Sequence, residues 1–136
     1  MSPCQVRRIV VDASVLVDAL SSSGEIGERA RHAVRGVRWA APEHLRVEVF
    51  HGIRGRLLGN KLDPEAALRA VGRLSRTDVG TVRTAQLLDR MWELRANLSG
   101  YEAAYVAAAE HLGVRLVTAD QRLAAAPGLR CAVFVP

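Results

Sequence analysis

Apolar residues fall along this chain in two rhythms. Short, mostly apolar runs occupy 8–11 (Arg8-Ile9-Val10-Val11), 39–41 (Trp39-Ala40-Ala41), 114–118 and 131–135. Each is bounded by polar or turn residues, as expected of strands buried on both faces of a sheet. Between them, apolar residues recur at three- and four-residue intervals, which predicts helices over 13–20, 25–34, 43–58, 81–96 and 99–111. The stripe of the third helix is Leu45, Val49, Phe50, Ile53 and Leu57, and that of the fourth is Leu87, Leu88, Met91 and Leu94. Ser21-Ser22-Ser23-Gly24 reads as a loop, and Pro42 closes the second strand. Asp63-Pro64 supplies an N-cap followed by proline in the first turn, opening a helix to about Leu74. Gly113 is placed to end the fifth helix in the left-handed conformation, and 120–125 forms one short further helix.

Short apolar strands alternating with helices predict an α/β fold: three layers, α/β/α, around a central, mainly parallel sheet of four to five strands. The length of 136 residues fits one domain spanning 1–136, with the helical pair between 43 and 75 set as a clip on the scaffold. Composition sharpens this picture. Apolar residues make up 49% of the chain and aromatic ones 4%, so the core is built from Val, Leu, Ile and Ala. Trp39, Trp92, Tyr101 and Tyr105 are assigned to that core. No apolar run approaches the roughly 20 residues of a membrane span, and the N-terminus does not read as a signal peptide. A cytoplasmic location is expected. Cys4 and Cys131 form neither a disulfide framework nor a C-x-x-C site, and Cys131 is placed in the buried last strand.

The net charge of +5 favours phosphate backbones as partners. Lys61 is the only lysine, so the excess is arginine, a bias that high-GC coding alone also produces.

The chemistry signal lies in where four acids fall. Asp12 directly follows the first strand, and Asp120 follows Leu116-Val117-Thr118-Ala119. Ligands bind outside the carboxyl ends of strands in open α/β sheets, so the two converge if their strands are neighbours. Each is equally readable as a helix N-cap. Glu102 sits on a helix that is apolar nearly all round, where an unpaired carboxylate is costly, yet Ser99-Gly-Tyr-Glu102 also matches the S-x-x-E capping box. Glu48 shares a helix row with Gly52 and Gly55, whose small size leaves room for a ligand or a backbone; read singly, it is a solvated helix acid. A cluster of four carboxylates needs compensation by cations, and oxygen donors without His or Cys favour Mg²⁺ or Mn²⁺. Ser14 and Thr118 are each two residues from a strand-end Asp, placed to orient it by hydrogen bonding. His32, His44, His51 and His111 make no i, i+4 metal pair with one another and are read as structural.

In these blocks the chain resembles the PIN-domain family, in particular the VapC toxins of type II toxin–antitoxin modules. The resemblance is carried, in order, by Val10-Val11-Asp12-Ala13-Ser14-Val15-Leu16-Val17, Pro42-Glu43-His44-Leu45-Arg46-Val47-Glu48-Val49, Leu98-Ser99-Gly100-Tyr101-Glu102-Ala103-Ala104-Tyr105-Val106-Ala107 and Leu116-Val117-Thr118-Ala119-Asp120-Gln121-Arg122-Leu123. It implies a metal-dependent endoribonuclease with catalytic acids Asp12, Glu48, Glu102 and Asp120, of which Asp12, Glu102 and Asp120 ligate Mg²⁺ or Mn²⁺. The third acid is more often Asp in the family, so Glu102 departs by one methylene. The resemblance also implies an RNA substrate meeting Arg46, Arg54, Arg56 and Arg122, a homodimer, and a VapB antitoxin docked near 43–75 with an arginine reaching the acids. The alternatives are a weak or inactive binding module on the same scaffold and an Asp-nucleophile phosphatase. The second asks for Asp where Ser14 stands. A nucleotide-binding fold asks for a G-x-G-x-x-G or Walker loop that does not follow Val11.

Overall fold

The computed structural model describes residues 7–136, so the reading of Cys4 lies outside the described residues. Five strands, β1 (Arg8–Val11), β2 (Arg38–Pro42), β3 (Val79–Val82), β4 (Leu116–Val117) and β5 (Val133–Phe134), form one parallel sheet in the order β3-β2-β1-β4-β5. Ile9, Val10 and Val11 are buried at consecutive positions, which a strand shows only when both its faces are covered. The helices are α1 (Ala13–Ser21), α2 (Gly24–Val34), α3 (Leu45–Leu58), α4 (Pro64–Arg76), α5 (Leu88–Leu94), α6 (Gly100–Leu112) and α7 (Gln121–Ala124). Helix α6 lies along β1, β2 and β4 with α5 against it, while α1 packs on α2, α3 and α4.

The chain first runs outward, from β1 to β2 to β3, and then returns to lay β4 on the other side of β1. That reversal opens a crevice at the carboxyl ends of β1 and β4. The register Val11↔Val117 brings the residues that follow the two strands side by side.

Local signals hold at most boundaries. Asp63 caps α4 by accepting from the Ala66 N–H at 2.9 Å. Gly113 ends α6 at φ 67, ψ 34, a conformation in which a side chain is strained. Gly52 marks a close approach rather than a ligand cavity: a Cβ there would sit 2.6 Å from Cγ2 of Val17 on α1.

The predicted helix over 81–96 is corrected. Its first residues belong to β3, an edge strand paired with β2 from Trp39↔Val79 to Pro42↔Val82. A 3₁₀ turn at Thr84–Gln86 follows, and α5 is confined to Leu88–Leu94. β-branched Val79, Thr81 and Val82 suit the ladder, and pairing with β2 decides over a helical period sustained for only two turns. The inward stripe is then Leu87, Met91 and Leu94, whereas Leu88 is exposed. Trp92 and Tyr101 are also exposed, not core; the Arg95 guanidinium covers the Trp92 ring at 4.0 Å from its centroid. Cys131 is half-buried and precedes β5, because β4 offers only Leu116 and Val117 for pairing.

Candidate active site

Asp12 follows β1 and Asp120 follows the segment extending β4, and a single hydroxyl ties them together. The Thr118 side chain, fully buried, donates to Oδ2 of Asp12 at 2.6 Å and accepts from the Asp120 N–H at 3.1 Å. Ser14 makes the parallel link, donating to Oδ2 of Asp12 at 3.0 Å and accepting from the Ala119 N–H at 3.1 Å. Both hydroxyls thus bind the Asp12 carboxylate, whereas Thr118 meets only the backbone N–H of Asp120, the acid two residues from it. Asp12 stands at the N-cap position of α1 without a side-chain capping bond, so its carboxylate is held for another use. Asp120 does act as a cap: Oδ1 caps α7 through the N–H groups of Arg122 and Leu123, while Oδ2 faces Arg122 Nη2 at 3.8 Å.

Glu102 closes the capping box. It accepts from the Ser99 N–H at 3.0 Å through Oε1, and its own N–H donates to the Ser99 hydroxyl at 3.1 Å. Its Oε2 lies 3.6 Å from Arg122 Nη2, so one guanidinium faces both Glu102 and Asp120. The Arg122 side chain is 84% exposed, so the contact is weak and easily displaced.

Glu48 occupies the first turn of α3, with Oε1 3.0 Å from Nε2 of His44. The pair is not aligned for a hydrogen bond, and His44 Nε2, Glu48 Oε1 and the Tyr105 hydroxyl are all buried without a hydrogen-bond partner. His44 lies between Tyr101 and Tyr105, its ring centroid 5.3 Å and 5.1 Å from theirs. Neither His44 nor Tyr105 was assigned to the site from sequence; the i, i+4 spacing of His44 and Glu48 was the available signal.

The electrostatics of this corner have one sign. Burial pushes Asp12 above the usual carboxylate range, against the pull of its bonds to Thr118 and Ser14. Burial, and then the negative charge of Asp12, push Glu48 up. Burial holds His44 below the ordinary imidazole value despite the attraction of Asp12, and burial with Glu48 and Asp12 drives the Tyr105 phenol far up. The pocket is short of positive charge.

The four acids thus share one rim at the crevice, but they do not form a ready-made first coordination sphere. Among the described residues no three His, Cys, Asp or Glu side chains are grouped to hold one metal ion. The donor chemistry nevertheless suits a hard divalent cation: carboxylate oxygens, two raised by burial, and one buried oxygen without a partner. The arginines divide. Arg122 faces the acids, Arg54 is exposed, and Arg46 donates to the Thr77 carbonyl at 2.6 Å. Arg56 is committed to Asp18 at 2.5 Å and to the hydroxyls of Ser21 and Ser22.

Replacing Thr118 by valine keeps the volume but leaves Asp12 and the Asp120 N–H without their shared partner. Stability should fall by about 1–3 kcal/mol, and any activity that depends on Asp12 by about 10–100-fold. Denaturant melts and initial rates measure the two effects.

Comparison with known proteins identifies the family. A family model described as the PIN domain matches residues 9–129. Ribonuclease VapC1 of Mycobacterium tuberculosis is 38% identical over 125 residues, covering 91% of this chain and 94% of that protein. A VapC ribonuclease of Mycobacterium bovis is 37% identical over 127 residues, covering 93% and 97%. Among solved structures, M. tuberculosis VapC20, titled a Sarcin-Ricin loop cleaving toxin, superposes with a TM-score of 0.63 at 21% identity, covering 86% of this chain and 93% of that one. At that identity the likeness is one of fold.

Proposed function

The chain belongs to the PIN-domain family, among its VapC ribonucleases, and from that premise we propose that it is a divalent-metal-dependent endoribonuclease, the toxin of a toxin–antitoxin module. It hydrolyses RNA phosphodiester bonds at the crevice between β1 and β4, and a cognate VapB antitoxin neutralises it. The observation that carries this reading is the Asp12–Thr118–Asp120 link at the carboxyl ends of two adjacent parallel strands, where the sheet order reverses. Asp12, Asp120 and Glu102 would hold Mg²⁺ or Mn²⁺, which when bound supplies water activation and stabilises charge developing on the phosphate. Thr118 and Ser14 fix the Asp12 carboxylate. Glu48, whose buried Oε1 lies 3.0 Å from His44 Nε2 without a hydrogen bond, would take a proton from the attacking water. Arg122, exposed over Glu102 and Asp120, is free to swing to the RNA backbone.

The antitoxin docks on the α3–α4 pair. Val47 and Phe50 are exposed there beside Val71 and Leu74, in an apolar recess of about 300 Å³ that suits an amphipathic segment. Assembly as a homodimer belongs to the same reading. No helix among the described residues is long and apolar enough to cross a membrane.

A second reading, a weak or inactive module that holds an antitoxin or RNA, is favoured by the engagement of Glu102 in its capping box. Metal titration separates the two. At about 100 times its Kd, Mn²⁺ stabilises a protein that binds it only when folded by about 2.7 kcal/mol. We expect a thermal shift of that size, together with cleavage of RNA that a chelator stops. Antitoxin binding without either effect would support the inactive module.

A further inference from the structure

The end of the sheet opposite the acids is strongly basic. Arg7 and Arg115 precede β1 and β4, Arg35 follows α2, and Arg31 lies on its last turn. Together with His32 and Phe134 they line a recess of about 960 Å³. Arg31 donates to the carbonyls of Ala19 and Ser22, which leaves its charge unneutralised. Among the described residues, none of these four guanidiniums lies within ion-pair distance of a carboxylate. The only carboxylate side chain in the lining is Glu28. Arg115 lies over the Phe134 ring, 4.9 Å from its centroid, and that ring is 40% exposed. Cations beside an accessible aromatic face are what a single-stranded nucleic acid requires: phosphates meet the charge and a base stacks on the ring.

This recess is not isolated from the candidate active site. A second groove, of about 300 Å³, begins at Ala119 and Gln121, on either side of Asp120, and runs past Asp18. Asp18 is already paired with Arg56 and does not repel an anion there. Arg29, itself paired with Glu25, and Pro136 line both grooves, so the two adjoin. We propose that the joined groove is a track for single-stranded RNA, leading from the acids to an exosite at Arg7, Arg31, Arg35, Arg115 and Phe134. This rests on the reading of the acids as a ribonuclease centre, and it makes the preferred substrate an extended strand rather than a few nucleotides.

The test is binding of 5′-labelled single-stranded RNA to the full chain, followed by fluorescence anisotropy in a chelator so that nothing is cut. Two lengths are compared, about 5 and about 20 nucleotides, spanning the usual site sizes of such grooves. The longer strand should bind at least tenfold more tightly to the wild type. In the Arg35→Ala/Arg115→Ala double variant the longer strand should lose about tenfold in affinity, and the slope of log K against log salt should shrink by about 1.4. The short strand should bind as before, while Arg35→Lys keeps the wild-type slope; a thermal melt confirms that the double variant is folded. Unchanged affinity and slope for the long strand would overturn the track, and so would tighter arginine-dependent binding of duplex DNA than of single-stranded RNA. The two proposals fail separately. Arginine-dependent binding without cleavage in Mn²⁺ sinks the nuclease reading, and cleavage with no arginine dependence sinks the track.

Discussion

Substituting Asp12 with asparagine should remove RNA cleavage, by about a thousandfold or more, and yet leave the apo protein as stable as the wild type or more stable. The two halves of this expectation come from the same environment. The catalytic loss follows from charge: Asn keeps an oxygen for Thr118 and Ser14 but gives up the anion that a divalent cation needs. The stability gain follows from burial, which raises the Asp12 pKa in the folded state. A carboxyl raised on folding lends stability in full only below its unfolded pKa, and loses it as pH rises through the folded value. Above the unfolded pKa the burial of Asp12 is therefore a burden on the fold, shared with Glu48, which is raised for the same reason. Melts of the apo protein should show the Asp12→Asn variant gaining on the wild type as pH rises above the unfolded carboxyl value, near 3.9. A variant that still cuts, or that unfolds at room temperature, would remove Asp12 from the centre of the chemistry.

Much of this site could be read from residue order. Asp12 and Asp120 stood out because each directly follows a strand-like run, and Thr118 and Ser14 because each stands two residues from one of them. What the order of residues leaves open is adjacency. Nothing in Leu116-Val117 says that β4 pairs with β1 rather than with β3, and the convergence of the two aspartates depends on that pairing. Glu102 shows the same limit in another form. Both of its readings were legible, and the structure favours the local one because Ser99 is three residues away while any partner acid is far along the chain. The strand β3 was missed because the stripe of Leu87, Leu88, Met91 and Leu94 made the segment from Thr81 look helical, whereas its β-branched residues are claimed by an open edge of β2. The basic recess escaped notice because its arginines are scattered through the sequence and gather only at the amino ends of parallel strands.

The second large effect lies away from the acids, where sequence patterning gave no warning. Glu110, near the end of α6, accepts two bonds from Arg90, at 2.7 Å from Nε and 3.1 Å from Nη2, and a third from the Arg130 N–H at 2.7 Å. Arg90 also reaches Glu93 at 2.9 Å and the Gly128 carbonyl at 2.6 Å, so one ionic knot ties α5, α6 and the approach to β5. Burial works against the Glu110 carboxylate, but the bonds from Arg90 and Arg130 outweigh it and hold its pKa below the ordinary value. Replacing Glu110 with alanine leaves Arg90 largely enclosed and short of its main partner. This should cost about 2–4 kcal/mol, a fall in Tm of roughly 10 °C. Because the folded pKa is depressed, the contribution is fully present above the unfolded value, near 4.3, and is lost as pH falls through the folded one. The gap between wild type and Glu110→Ala should therefore close in acid. Glu93→Gln, at the exposed end of the same knot, should cost no more than about 1 kcal/mol. Cleavage per folded molecule should survive Glu110→Ala at low temperature, since Glu102 is held at the other end of α6 by its own cap. Equal melting curves for the two proteins at neutral pH would show that α6 is fixed by its apolar contacts alone.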